Sequence, residues 1–516
     1  LDTPEKITGR ATFGMDVQFD GLKTALVARS PVYGGSVKSV DDRAAKAVPG
    51  VRKIVQVPSG VAVVADHFWA AKKGRDALKI DWDAGPNAGL DTAILRETFR
   101  KTAQTDGPVA STAGDASAAM KDAKQTIEAE YNVPYLAHAP MEPLNATVKI
   151  DADGCEIWTG TQFQQFDQMA AARITGLPVE KVKLHTMFLG GGFGRRANPA
   201  SDFVSEAVAV AKAAGMPVKT VWTREDDMHG AYYRPMFLQT AKIGLDADGM
   251  PIAWQQALVG QSIMKGTPFE PFSIKDGVDS SSVEGVADSP YMKGVANHHV
   301  TTHSPDIQLP VLWWRSVGHS VNAFVMESLV DELAHASGKD PVAYRRTLLA
   351  EHPRHLAALN LAVEKAGWDT PVAEGRARGV AVHESFGSVV AQVAEVSVDK
   401  GSIRVHKVTC AIDCGTAVNP EGIAAQMESG IAFGLSAALH SQLSFKDGKV
   451  QESNFHDYIV LRLGEMPAVD VHIVPSEAPP SGVGEPGTPP IAPAVANAVF
   501  ALNGKRLRSL PMTLPG

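Results

Sequence analysis

Apolar positions along the chain keep two rhythms. The apolar run Val61-Ala62-Val63-Val64 reads as a strand. Alternation puts Ala394, Val396 and Val398 on one face before the Lys400-Gly401 turn, with Ile403 and Val405 after it. The segments Ile150-Asp151-Ala152-Asp153-Gly154 and Leu245-Asp246-Ala247-Asp248-Gly249 are near repeats, and each reads as the turn of a hairpin, as does Asp447-Gly448. Helical spacing appears over 67–78, through Phe68, Ala71 and Leu78, and over 201–214, where Phe203, Val204, Ala207 and Val208 share a face that Gly215 ends. Val325, Leu329 and Leu333 mark a helix over 321–336. Another, over 493–502, starts with Pro493 and stops before Gly504. These elements predict a mixed α+β fold with several sheets. The Gly/Pro-rich loop at 83–89 predicts a boundary, giving an α/β domain over 1–85 and two further units over 86–350 and 351–516. The Ala/Ser/Thr-rich stretch 105–117 reads as a surface segment.

Composition narrows the classes. The chain has 516 residues, 44% hydrophobic and 21% charged, which suits a globular protein with a large core. A net charge of -8 argues against a nucleic-acid partner. No apolar run approaches the roughly 18 residues that span a bilayer. Three cysteines, Cys155, Cys410 and Cys414, are too few for an iron–sulfur cluster, which takes about four thiolates, and they read as buried thiols. The chain begins at Leu1, so the lack of a leader pattern says nothing about compartment.

Three glycine loops carry candidate chemistry. The strand over 181–189 runs into Gly190-Gly191-Gly192-Phe193-Gly194-Arg195-Arg196, where backbone N–H groups can meet an anion and two arginines add positive charge. Gly192-x-Gly194-x-x-Ala197 satisfies a relaxed dinucleotide fingerprint, so an NAD-dependent dehydrogenase is one reading and a structural turn another. The acidic pair Glu225-Asp226 stands farther on than the about 20 residues that fingerprint wants. In Ser481-Gly482-Val483-Gly484-Glu485-Pro486-Gly487 a carboxylate sits in stiff backbone before a helix. Glu485 is either a first-turn acid complementing the helix dipole or an aimed general base. The third loop, Ile412-Asp413-Cys414-Gly415 to Pro420, leads to a helical stretch in which Gln426 is either solvated or a donor to cofactor oxygens.

Together these pieces resemble the xanthine oxidase family of molybdenum hydroxylases, in its large molybdopterin-binding subunit. The landmarks follow in order: Lys6-Ile7-Thr8-Gly9-Arg10-Ala11, His138-Ala139-Pro140-Met141-Glu142-Pro143, Thr161-Gln162, Gly190 to Gly194, Trp222-Thr223-Arg224-Glu225-Asp226-Asp227-Met228, Arg315, and Gly484-Glu485-Pro486. Val380-Ala381-Val382-His383-Glu384-Ser385-Phe386-Gly387 is similar to the isoquinoline 1-oxidoreductase beta-subunit and aldehyde dehydrogenase branch.

The resemblance implies a hammerhead-type first domain followed by molybdopterin-binding domains. It also implies a molybdenum–molybdopterin cofactor, in the cytosine dinucleotide form, whose metal has no protein ligand. Glu485 matches the catalytic base. Gln162, Gly191, Gly192, Phe193, Gly194, Arg345, Gln426 and Gly484 match positions around the cofactor. Arg315 corresponds to a substrate-pocket arginine, beside which Trp314 either stacks a flat ring or belongs to the core. The implied reaction hydroxylates an N-heteroaromatic ring or oxidises an aldehyde, with water as oxygen source; a catalytically silent cofactor carrier or scaffold is the alternative. Electrons would leave through a small 2Fe-2S subunit, with cytochrome c as a candidate acceptor, in the periplasm or alternatively the cytoplasm. Two departures stand out. Ala197 replaces the glutamate of purine oxidisers. The family's Gly-Gln-Gly-x-x-Thr cofactor loop is missing from its usual place, which implies that an upstream segment or second chain supplies it.

Overall fold

The computed structural model describes residues 2–230 and 232–514; Leu1, where the chain begins, lies outside them. Three main sheets organise the molecule. The first has seven strands in the order Val182–Thr186, Cys155–Thr159, Asn145–Ile150, Val218–Val221, Lys23–Ala28, Gly60–Ala65 and Val51–Val57. Lys23–Ala28 pairs in parallel with Val218–Val221, opposite Lys23 to Ala25. The sheet therefore crosses the boundary drawn at residue 85, and the 83–89 loop does not mark a break in hydrogen bonding. The Asp202–Ala214 helix covers one face, burying Phe203, Val204, Ala207 and Val208 with Val27, Val64, Val148 and Ile157. That is the face the 3.6-residue spacing predicted.

The second sheet runs Val109–Ala113, His298–His303, Pro251–Gly260, Phe237–Leu245, Gln125–Val133. Its first strand lies within the 105–117 stretch read from sequence as a surface segment, and the strand is indeed exposed or half-buried along its length. The strand is an edge, and its ladder comes from His298–His303, far along the chain and invisible to local composition. The third sheet is Arg376–Ser385, Ser388–Asp399, Ser402–Asp413, Ala468–Ile473. All four predicted turns join antiparallel pairs.

Between the second and third sheets lies the His319–Ala336 helix, buried on nearly every side. Its carboxylates need partners in so dry a place. Arg345 Nε donates to Glu327 Oε2 at 2.8 Å, Arg506 Nη1 to Asp331 Oδ2 at 2.6 Å, and Arg508 Nε to Glu332 Oε1 at 2.8 Å. The Ile491–Asn503 helix closes the third sheet. It approaches so closely that a Cβ at Gly379 would stand 2.1 Å from Ala498 N.

Candidate active site

The 190–196 loop is held from below. Gly190 N–H donates to Glu142 Oε2 at 2.9 Å, and Arg196 donates to the carbonyls of Gly191 at 2.7 Å and Gly160 at 3.0 Å and to Glu142 Oε2 at 3.0 Å. Arg195 Nη1 donates to Asp202 Oδ1 at 2.9 Å. Both arginines are buried. They brace the loop and do not add charge above it, which corrects the sequence reading. Phe193 (φ 57°) and Gly194 (φ 110°) both adopt left-handed backbone. A Cβ on Gly194 would lie 2.1 Å from Trp313 O, so the turn requires glycine twice over.

This turn is not a dinucleotide site. The Val182–Thr186 strand before it is the edge of a mixed sheet, and the helix begins only after Ser201. A nucleotide-binding unit of that kind needs an interior parallel strand feeding a helix directly from the glycine turn. The NAD-dependent reading is therefore set aside.

The Glu485 loop meets the glycine loop through Trp313 to Ser316. Arg315 N–H donates to Phe193 O at 3.0 Å. Arg315 Nε donates to Gly484 O at 2.7 Å, Nη1 to Ser429 Oγ at 2.9 Å and Nη2 to Gln426 Oε1 at 3.2 Å. Burial pulls the Arg315 pKa down, and the Glu485 charge opposes that shift. Ser316 clamps the carboxylate residue twice: its N–H donates to Glu485 Oε1 at 2.9 Å and its Oγ to Glu485 O at 2.7 Å. The left-handed backbone at Ser316 (φ 77°) and Val317 (φ 49°) shapes this turn. Gly318 N–H in turn donates to Glu284 Oε1 at 2.7 Å, and burial pushes the Glu284 carboxyl up to about 8.

Helix and loop press together behind Glu485. On the Pro420–Leu439 helix, a Cβ at Gly430 would stand 3.0 Å from Gly487 C, and one at Gly434 would stand 2.8 Å from Thr488 O. Gln392 Nε2 donates to Gly487 O at 2.8 Å and Ser388 Oγ to Gly482 O at 2.8 Å. The following helix starts at Ile491 with no acidic residue in its first turn, which removes the dipole reading of Glu485. What results is a carboxylate with Oε1 anchored to a backbone N–H and no hydrogen bond to Oε2 among the described residues.

The structure brings Glu485, Gly484, Arg315 and Gln426 into one hydrogen-bonded group, and ties Phe193 to it through Arg315. Gln162 stands at the same loop: its Oε1 is 3.1 Å from where a Gly192 Cβ would be, and its N–H donates to Arg196 O at 2.9 Å. Gln162 and Gln426 are exposed, and their amide nitrogens make no hydrogen bond among the described residues.

Of the two places left open for Trp314, a ring-stacking face or the core, the structure shows the core. One face lies on Phe433, with centroids 4.3 Å apart, and Phe433 lies in turn on Phe193 at 4.3 Å. The Arg234 guanidinium stands 5.3 Å from the Trp314 centroid. Trp314 is thus part of a packed column that supports the glycine loop, and it borders an apolar cavity of about 490 Å³ together with Gly191, Phe193 and Phe433.

Arg345 is likewise corrected. It is fully enclosed, spending its donors on Glu327 and on Pro341 O at 3.2 Å, with Asp331 Oδ1 3.6 Å away, and it reaches none of the three loops. Its motif position marked it for the cofactor, but the buried carboxylates of the neighbouring helix claim it. Arg345→Ala should strand those carboxylates and cost roughly 3–5 kcal/mol of stability, read by chemical denaturation.

Sequence reasoning missed Ser316, Ser429, Phe433 and Glu142. The Gly430/Gly434 spacing on a predicted helix was a readable sign of close packing. Nothing local announced Ser316, whose role depends on a partner 169 positions away. The three cysteines are buried. Burial pushes Cys155 up to about 11 and Cys410 to about 12, so neither is a thiolate at neutral pH.

Comparison with known proteins gives this geometry a class. Residues 100–349 and residues 327–467 each match a molybdopterin cofactor-binding domain. The chain is 33% identical to the isoquinoline 1-oxidoreductase beta subunit of Brevundimonas diminuta over 99% of its own length and 67% of that protein. It is 30% identical, over 99% of its length and 70% of the other protein, to a membrane-bound aldehyde dehydrogenase of Gluconacetobacter polyoxogenes whose description names pyrroloquinoline quinone. Quinoline 2-oxidoreductase of Pseudomonas putida 86 shares the fold, with a TM-score of 0.80 at 14% identity, covering 99% of this chain and 96% of that one. The class is that of molybdopterin-binding oxidoreductases. Within it, the chain belongs to the xanthine oxidase family of molybdenum hydroxylases, as a large subunit.

Proposed function

We propose that this subunit hydroxylates an electron-poor carbon of an N-heterocycle, or oxidises an aldehyde, with Glu485 as the base. The observation that carries the reading is the Glu485 carboxylate, anchored through Oε1 and left with Oε2 unpaired. The residues present fit the cofactor. The side chain missing at Gly194 keeps the loop against Trp313, and the amide nitrogens of Gln162 and Gln426 are unspent donors beside that loop and Glu485. When bound, the cofactor accepts an electron pair from the substrate carbon and activates water. Glu485 Oε2 receives the proton that water gives up, while Ser316 N–H holds the carboxylate in one orientation. Arg315 fixes the Gly484 carbonyl and, with its fork spent on protein oxygens, stabilises the loop rather than a substrate anion. Gln162 and the Gly191–Gly194 backbone border the cofactor on one side, and Gln426 borders it on the other.

The finer parts of the reading are proposed with it: a cytosine dinucleotide on the pterin, a 2Fe-2S partner passing electrons toward an acceptor such as cytochrome c, and a periplasmic or alternatively cytoplasmic setting. A segment bearing the Gly-Gln-Gly-x-x-Thr loop, upstream or on a second chain, completes the enclosure. Metal and pterin analysis of the purified complex tests the cofactor, and turnover tests the alternative of a silent carrier. Iron analysis tests the division of labour. The isolated chain should carry no stoichiometric iron or acid-labile sulfide, and the complex should carry both; clusters on the isolated chain would overturn the partner assignment.

A further inference from the structure

Resting on the hydroxylase reading, we infer that Glu284 is a positioning residue for Glu485, acting through the Ser316–Gly318 turn that the two carboxyl groups hold from opposite ends. The turn needs holding. Ser316 (φ 77°) and Val317 (φ 49°) are consecutive residues in left-handed backbone, and Val317 is β-branched, a side-chain type that this conformation suits badly. Such a turn persists only where its surroundings fix it. Glu485 fixes the first end, through the N–H and Oγ of Ser316.

The second end is the start of the buried His319–Ala336 helix, where the first amides have no partner within the helix. The residue at its head is Gly318, which has no side chain to cap them. Nothing larger fits, because a Cβ there would stand 2.0 Å from Ser281 O. The acceptor therefore comes from another segment, and Glu284 Oε1 takes the Gly318 N–H at 2.7 Å. Glu284 is itself set firmly. Asn322 Nδ2, from the same helix, donates to Ser282 O at 3.0 Å and to Glu284 O at 2.8 Å, and Asn322 Oδ1 accepts from Gln239 Nε2 at 2.7 Å. Asn322 and Gln239 are both buried, so the carboxyl reaches Gly318 from fixed backbone.

A plain helix cap would account for the Gly318 bond, but a neutral amide would accept it equally well. The surroundings of Glu284 make its ionisation matter. Its Oε2 lies 3.7 Å from His319 Nε2, and His319 Nδ1 is hydrogen-bonded to His383 Nε2 at 2.9 Å. Burial pushes His319 down to about 4 and His383 well below its ordinary value, so neither is a cation at neutral pH. Burial also raises the Glu284 carboxyl to about 8, and the charges of Asp288 and Asp279 act in the same direction. An ionised acceptor holds an N–H roughly twice as strongly as a neutral one. The grip on Gly318 therefore tightens as pH rises through that value, and with it the turn that aims Glu485.

The test uses the purified complex and a readout independent of turnover, hydrogen exchange at the Ser316 amide. Glu284→Ala should speed that exchange about tenfold at neutral pH, the loss expected for one buried hydrogen bond. Glu284→Gln keeps the acceptor and should restore most of the protection. With quinoline as substrate, kcat should fall about tenfold in the alanine variant through misaim of the base, while KM and molybdenum content stay unchanged. Glutamine should recover most of that loss. Wild-type Ser316 protection, corrected for the intrinsic effect of pH, should rise as Glu284 ionises near pH 8, and the glutamine variant should lack that rise. This comparison stands even where Glu284→Ala does not fold. Unchanged Ser316 exchange in the alanine variant, or an equal rise with pH in the glutamine variant, would overturn the inference. A wild-type complex without molybdenum would instead sink the hydroxylase reading, and Ser316 exchange would still decide whether Glu284 holds the turn.

Discussion

Glu485→Gln should abolish most turnover while leaving the cofactor in place. The amide keeps the shape of the side chain, and its oxygen can still accept the Ser316 N–H that now lies 2.9 Å from Oε1. What it loses is the ability to hold a proton. General-base catalysis contributes typically 10²–10⁴-fold, and the loss should reach or exceed the upper end, because the same proton transfer creates the nucleophile. Molybdenum and pterin content should stay near wild type, since the Arg315 contact to Gly484 O uses backbone that the substitution does not alter. Steady-state turnover beside metal analysis checks both halves. Retained activity in the glutamine variant would remove Glu485 from the mechanism.

Gly194→Ala should have the opposite signature, losing cofactor before chemistry. At φ 110° an L-residue is strained by roughly 1–3 kcal/mol from backbone alone. The added methyl also cannot coexist with Trp313 O, which would be 2.1 Å away. Relief requires the glycine loop to part from the Trp313–Ser316 turn. That breaks the Arg315 N–H bond to Phe193 O and disturbs the clamp on Glu485 together with the cradle. A lower melting temperature with sharply reduced molybdenum occupancy is expected. A variant that is as stable and as fully loaded as wild type would show that the close approach is not needed.

Much of this was legible before any coordinates. The Asp-Gly and Lys-Gly turns and the helical faces depend on neighbours within a few residues, so their patterns survive in the sequence. The Glu485 loop was legible because Gly and Pro on either side restrict backbone choices that the fold then uses. Arg345 was misplaced, and Trp314 was left open between a ring-stacking face and the core, for the converse reason. Whether a guanidinium or an indole faces a site or a core is decided by partners such as Glu327 and Phe433, which come from other elements. The Val109–Ala113 edge strand was missed because its composition is that of a loop, and only His298–His303 makes it a strand.

The shared first sheet has a practical consequence for anyone dividing the chain. Val218–Val221 lies between Asn145–Ile150 and Lys23–Ala28. Cutting at the 83–89 loop would take away the second of these and leave Val218 and Val221, both buried in the intact protein, along a bare row of unpaired amides and carbonyls. Such a row templates pairing with other chains. Fragments beginning there would gather into insoluble material through a surface that the intact molecule keeps for its own first strand.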